Sequence, residues 1–93
     1  MLRIAICDDI PEQLDIMEKA VLSYFSSDSQ EIRISKYHNA MEFLDDFEAE
    51  GDFDIVLLDI CMPGMLGTDV AAAMRSQKSQ AEIIFLSTSD EFA

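Results

Sequence analysis

The stretch Phe53-Asp54-Ile55-Val56-Leu57-Leu58-Asp59-Ile60-Cys61-Met62-Pro63-Gly64-Met65-Leu66-Gly67 decides how the rest of the chain folds. A continuous apolar run, Ile55 to Leu58, ends on the carboxylate Asp59. A short apolar run bounded by turn residues reads as a strand buried on both faces. Asp59 then stands at the carboxyl end of that strand, the edge at which open parallel α/β sheets bind ligands. Pro63 and Gly64 interrupt regular structure. Gly67-Thr68-Asp69 opens the next helix, with Thr68 or Asp69 as its N-cap. Alone, Asp59 reads as an ordinary strand-end carboxylate capping the turn that follows, so its meaning depends on the other strands.

Leu2 to Cys7 is apolar apart from Arg3 and reads as a strand, followed at once by Asp8 and Asp9. Pro11 suits the first turn of a helix, where its missing N–H is harmless, and Glu12 complements the positive helix start. Leu14, Met17, Val21 and Phe25 recur at helical spacing. Ser26-Ser27-Asp28-Ser29 is a loop. Glu31 to Tyr37 alternates, with Ile32 and Ile34 on one side and Arg33 and Ser35 on the other, which predicts a half-buried edge strand. Asn39-Ala40-Met41-Glu42 has the form of a capping box. Phe43, Leu44 and Phe47 make that helix's apolar face, and Gly51 ends it. Beyond the central strand, a helix from about Asp69 to Gln77 carries Val70, Ala71, Ala73 and Met74. Ile83 to Leu86 is a second continuous apolar run and predicts a second buried strand, with Ser87-Thr88-Ser89 at its end. Asp90-Glu91-Phe92-Ala93 reads as the first turn of a further helix.

Strands alternating with helices of this length predict a doubly wound parallel α/β sheet. Right-handed crossovers put every strand's carboxyl end on one edge. With the first, third and fourth strands as neighbours, Asp8, Asp9, Asp59 and Ser87 converge on one patch. Three carboxylates within ~5 Å repel by roughly 3 kcal/mol per ionised pair at an effective dielectric near 20. Some therefore stay protonated, or a cation sits among them. An all-oxygen cluster with open positions suits Mg²⁺, which keeps several waters and takes one or two carboxylates. A carboxylate such as Asp59 can act as a nucleophile toward phosphorus. A hydroxyl opposite, from Ser87, is placed to donate a hydrogen bond to a phosphoryl oxygen.

The bulk composition narrows the field further. The 93 residues make one domain, which buries about 60–65% of its unfolded surface. Six basic against 19 acidic residues give a net charge of −13, which argues against phosphate-backbone contacts and so against nucleic-acid binding by this segment. No apolar run reaches the ~20 residues of a membrane span, and Met-Leu-Arg-Ile-Ala-Ile lacks the features of a signal peptide; a cytoplasmic location is expected. Cys7 and Cys61 have no metal-site spacing and read as buried thiols in a reducing compartment, with a disulfide as the alternative if the two strand ends adjoin. His38, the sole histidine, falls at a strand-to-helix turn, which suits a surface or capping role. The six methionines are explained mostly by core filling, with Met62 and Met65 in the site loop. Glu42, Asp45, Asp46, Glu48 and Glu50 form the solvated face of the second helix.

The chain resembles the receiver domain of two-component response regulators. The resemblance rests on Asp8-Asp9 after the first strand, on Asp59-Ile-Cys-Met-Pro-Gly-Met-Leu-Gly67 after the third and on Phe85-Leu-Ser-Thr88 after the fourth, and it covers the whole chain. It implies a flavodoxin-like sheet of order 2-1-3-4. It implies that Asp59 accepts a phosphoryl group from a sensor histidine kinase and relays it as a conformational or oligomerisation switch rather than as a conventional enzyme. Asp9 would bind Mg²⁺ directly, Asp8 mostly through water, and the main-chain carbonyl of Cys61 would complete the protein ligands. Ser87 would be the switch residue that turns toward the phosphoryl group, and Thr88 the neighbour that sets access. Met62, Pro63 and Gly67 shape the site loop.

Receiver domains continue with a helix, a fifth strand ending in a lysine followed by proline, and a last helix. This sequence stops at Ala93, and its lysines, Lys19, Lys36 and Lys78, do not follow a late strand. The expectation is a receiver domain over residues 1–93 lacking the last helix-strand-helix, its output domain absent. The style of the N-terminus and of the Ser-Asp-Glu-Phe-Ala ending resembles regulators with a LytTR-type output domain. An apolar fourth strand left as a sheet edge predicts self-association. Two rivals stand beside this. Haloacid dehalogenase-like phosphotransferases also place Asp after a strand, but they need a second Asp two residues on, where this chain has Cys61. A phosphorylation-independent interaction or dimerisation module of receiver-like fold is the other.

Overall fold

The structure, a computed structural model, describes residues 1–25 and 31–86. Its elements run β1 (Leu2–Cys7), α1 (Pro11–Tyr24), β2 (Ile32–Tyr37), α2 (Ala40–Glu50), β3 (Ile55–Asp59), α3 (Gly67–Ser76) and β4 (Glu82–Leu86). The strands form one sheet of order β2-β1-β3-β4. All pairs are parallel, with Ile4 opposite Ile34 and Ile55, and Val56 opposite Ile83. The order expected from the resemblance and the edge position of β2 both hold.

Side chains alternate across a strand, so β1 supplies both faces of the sheet. Ile4 and Ile6 pack with Leu14, Met17 and Val21 of α1. Ala5 and Cys7 turn the other way, joining Val56 and Leu58 of β3 beneath Phe43 and Phe47 of α2 and Val70 and Met74 of α3. Among the described residues one helix covers one face and two cover the other, the doubly wound arrangement. The second layer is the more aromatic. Phe43 is fully buried, its ring centroid 5.4 Å from that of Tyr37 and 5.6 Å from that of Phe53. Complete burial of one such ring contributes about 1.5–3 kcal/mol, and an edge-on or offset partner adds about 0.5–1.5.

The helix ends explain where the layers are pinned. Pro11 occupies the start of α1 as expected, and Ile10 is the N-cap, with no side-chain cap bond. Asn39 caps α2 by accepting the Glu42 N–H at 2.8 Å. Gly51 ends that helix at φ 94, a left-handed value that suits glycine. The last turn of α2 holds no basic residue of its own. Arg3 supplies one from β1: its Nη1 donates to the carbonyls of Asp52 at 2.6 Å and Glu50 at 3.3 Å, and its guanidinium lies 4.7 Å from the Phe53 ring centroid.

Three expectations are corrected. α3 begins at Gly67 with Leu66 as N-cap; Thr68 and Asp69 already lie inside the first turn, because the Asp69 and Val70 amides bond back to the Leu66 carbonyl. Phe25, expected in α1, is its C-cap. β4 is not buried on both faces: Ile84 is 43% and Phe85 41% exposed, since among the described residues β4 is an edge of the sheet. Cys7 and Cys61 are thiols, not a disulfide. Among the described residues no helix is long and apolar enough to cross a membrane.

Candidate functional site

Parallel pairing of β1 with β3 places Cys7 opposite Leu58. The residues that follow, Asp8 and Asp59, therefore leave the sheet side by side at its carboxyl edge. Asp9 joins them, and the three carboxylates each offer an oxygen such that all lie within 4.8 Å of one another. Asp8 and Asp59 are buried, and Asp9 is half-exposed. The carboxylates that the sequence predicts are thus brought together.

Each buried acid is tethered to nearby main chain. Asp8 Oδ1 accepts the Ile10 N–H at 2.9 Å, folding the β1–α1 connection into a tight turn. Asp59 Oδ1 accepts the Cys61 N–H at 3.4 Å. The other oxygen of Asp8 is the anomaly. Oδ2 is buried, and among the described residues no group hydrogen-bonds it. A buried carboxylate oxygen without a partner is costly. Burial pushes the Asp8 carboxyl above its ordinary range, and the charges of Asp59 and Asp9 add to the rise while the Ile10 amide opposes it. Burial also raises the Asp59 carboxyl, with Asp9 adding and the Cys61 and Ile60 amides opposing.

The β3–α3 loop is closed on itself beside these acids. The Ile60 N–H donates to the Leu86 carbonyl at 3.1 Å, and the Gly67 N–H returns to the Ile60 carbonyl at 2.8 Å. Gly67 is buried against the end of β3: a Cβ built there would stand 2.3 Å from the Asp59 carbonyl oxygen. Within the loop Met62 is buried, Cys61 and Met65 are half-buried and Pro63 and Gly64 are exposed. Gly64 takes φ 85, so it makes the loop's turn in a conformation that side chains disfavour. Beneath the loop the Cys7 Sγ lies 3.6 Å from the Met62 Sδ and 3.6 Å from the Asn39 carbonyl oxygen. Burial, reinforced by the Asp8 charge, pushes the Cys7 thiol up to about 12, so it is neutral at physiological pH.

His38 is exposed, in keeping with a surface role. Ser87 and Thr88 lie outside the described residues. Sequence reasoning missed three things: the Asp8 turn onto Ile10, the close approach that makes position 67 a glycine, and the sulfur contact under the loop. The glycine was visible, but only the pairing geometry shows what it faces.

The donor set can hold a hard divalent cation. It is all oxygen, it is doubly buried, and it contains one carboxylate oxygen that nothing else among the described residues satisfies.

Comparison with known proteins places this arrangement. Residues 4–93 match the response regulator receiver domain family. The chain is similar to the response regulator TrrA of Thermotoga maritima in complex with Mg²⁺-BeF, with a TM-score of 0.80 and 32% identity over 99% of this chain and 74% of that one. It is also similar to a complex of the histidine kinase ThkA with TrrA, with a TM-score of 0.72 and 34% identity over 95% of this chain and 70% of that chain. In Bacillus subtilis the uncharacterized transcriptional regulatory protein YkoG is 42% identical over 53 residues, 57% of this chain and 23% of that protein. The chain thus matches less than a quarter of the length of that relative. The haloacid dehalogenase alternative falls away, for with the family matched from residue 4 to residue 93, this chain belongs to the response regulator receiver domains of two-component signalling.

Proposed function

We propose that Asp59 is the phosphoacceptor of this receiver domain and that Asp8, Asp9, Asp59 and the main-chain carbonyl of Cys61 hold Mg²⁺ beside it. The observation that carries this is the buried, unpartnered Oδ2 of Asp8 within a cluster of three carboxylates. When bound, Mg²⁺ supplies positive charge against the phosphoryl oxygens and against the acids themselves. The remaining work belongs to the chain. Asp59 presents an ionised carboxylate oxygen at the strand end, and the Cys61 amide fixes its other oxygen. That free oxygen forms the new bond to phosphorus as the donor's bond to phosphorus breaks, and the electron pair departs with the donor atom.

The donor we infer is a phosphohistidine of a sensor histidine kinase, in a cytoplasmic setting that suits two thiols. Support comes from TrrA, whose structures include a histidine kinase complex and a Mg²⁺-BeF complex. Ser87 and Thr88 would contact the phosphoryl group. The acids make the chain a phosphoacceptor whose own chemistry is confined to taking and slowly losing that group.

The test is incubation with Mg²⁺ and acetyl phosphate or phosphoramidate, followed by intact mass. One acid-stable, base-labile phosphate is expected on the wild type and none on Asp59→Asn. Absence of the adduct on the wild type, with Mg²⁺ binding intact, would overturn the phosphoacceptor role and leave a phosphorylation-independent interaction module.

A further inference from the structure

Two residues under the site have no role in the proposed chemistry, yet each adjoins a group that does. Cys7 directly precedes Asp8, and Met62 directly follows Cys61. Cys7 is 0% and Met62 5% exposed. Their sulfurs meet at 3.6 Å. The carbonyl of Asn39, the residue that caps α2, lies at 3.6 Å from the same thiol. One small buried side chain thus touches the loops that follow β2 and β3 from the end of β1.

We propose that Cys7 and Met62 are positioning residues for the cation site, and that their packed sulfur contact sets how far the Cys61 segment stands from Asp8 and Asp9. The proposal rests on the cation site described above and adds the part of the chain that fixes its width. Consecutive Cα atoms are about 3.8 Å apart across a rigid peptide plane, so a shift at either buried side chain reaches the adjoining residue with little loss. Mg²⁺ tolerates little error, because it demands near-octahedral oxygens at about 2.0–2.1 Å.

The β3–α3 loop is held near the acids by the Cys61 N–H on Asp59, and further along the half-buried Met65 packs against the core. Its two ends are tied by the Gly67–Ile60 hydrogen bond, while Pro63 and Gly64 at its crest are exposed. Met62 is buried in the core cluster with Cys7, Leu58 and Phe43, while Met65 of the same loop packs against it only partly buried. Both sulfur groups are soft and polarisable and fill the irregular space by dispersion. The thiol's single proton satisfies at most one of its two neighbours, so contact shape, not a hydrogen-bond chain, does the positioning.

The experiment measures Mg²⁺ affinity by calorimetry, and Mn²⁺ affinity by electron paramagnetic resonance, on the wild type, Met62→Ala, Met62→Leu, Cys7→Ala and Cys7→Ala/Met62→Ala. Circular dichroism sets a temperature at which each variant is folded. Expected are a roughly tenfold loss in Met62→Ala, recovery to within about threefold in Met62→Leu of similar volume, and a double variant no weaker than the worse single one. A residue that served stability alone would lower the melting temperature and leave the affinity of the folded protein unchanged; that result would overturn the proposal. Additive losses in the double variant, or a Met62→Leu as weak as Met62→Ala, would overturn it as well. Failure of the wild type to bind either ion would instead remove the cation site itself, a result distinguishable from the others because every variant would then be silent alike.

Discussion

Gly67 rests on the main chain of Asp59, so close that a Cβ at position 67 would fall 2.3 Å from the Asp59 carbonyl oxygen and 3.1 Å from its carbonyl carbon. The obstacle is backbone, which cannot swing aside as a long side chain would. Gly67→Ala must therefore push α3 off the end of β3 or bend the strand that carries Asp59. Overpacking of this kind costs about 1–3 kcal/mol. In a domain of this size each kcal/mol lowers the melting temperature by roughly 4–8 °C. The expected result is a clear drop in thermal melting, with slower formation of the phosphate adduct proposed for Asp59 in whatever fraction stays folded.

Stability should depend on pH in a direction set by the site. The Asp8 and Asp59 carboxyls are both raised above the ordinary 3.8. Between 3.8 and the raised values the folded chain holds more protons than the unfolded one, so stability falls as pH rises through that window. Asp52 acts in the opposite sense. Partial burial pushes it up, but the Ser79 hydroxyl and the Gln80 and Phe53 amides bring it to a net value below 3.8, so its contribution is lost as pH falls through that lower range. A maximum in mild acid is expected for the metal-free protein in thermal melts across pH. At neutral pH Asp8→Asn should melt higher than the wild type without divalent cation, and Mg²⁺ should stabilise the wild type and not the variant.

Asn39→Ala removes the side chain that accepts the Glu42 amide. Loss of an N-cap costs about 1 kcal/mol. Urea titration should show a lower midpoint with an unchanged slope, and Asn39→Asp, which keeps an acceptor and adds charge at a helix start, should restore it.

Arg3→Met keeps an apolar stem over Phe53 but deletes two hydrogen bonds to the carbonyls at the end of α2. A charge-assisted hydrogen bond contributes about 1.5–3 kcal/mol, and the site is part-exposed, so the loss should fall near the low end. Hydrogen exchange should quicken in the last turn of α2 before it does elsewhere.

The fold was legible because periodicity does the deciding here. Ile55–Leu58 is continuous where a strand is covered on both faces, and Ile32–Tyr37 alternates where a strand lies at an edge. The acids were legible for a related reason: Asp8 and Asp59 each directly follow the last apolar residue of a strand, and Asp9 comes next after Asp8. What the sequence hid depends on distances between segments far apart along the chain. Thr68 and Asp69 are good capping residues by type, yet Leu66 is the cap, because the Gly67–Ile60 bond and the fit of Gly67 on Asp59 start the helix earlier. Ile83–Leu86 reads as an interior strand from its apolar run, but burial depends on what lies beside it, and Ile84 and Phe85 are exposed among the described residues.

The position of β1 has a consequence for synthesis. It is made before both of its partners, residues 32–37 and residues 55–58. At about 5–20 residues per second, roughly 3–10 seconds separate the addition of Cys7 from that of Leu58, after which both edges of β1 can be occupied. Until then the apolar segment Ile4-Ala5-Ile6-Cys7 has at least one edge without its partner strand. Arg3 stands on one side of it and Asp8-Asp9 on the other, charges of the kind that keep nascent strands from sticking to one another. The acids at the carboxyl edge of the sheet would thus guard the chain before it has folded.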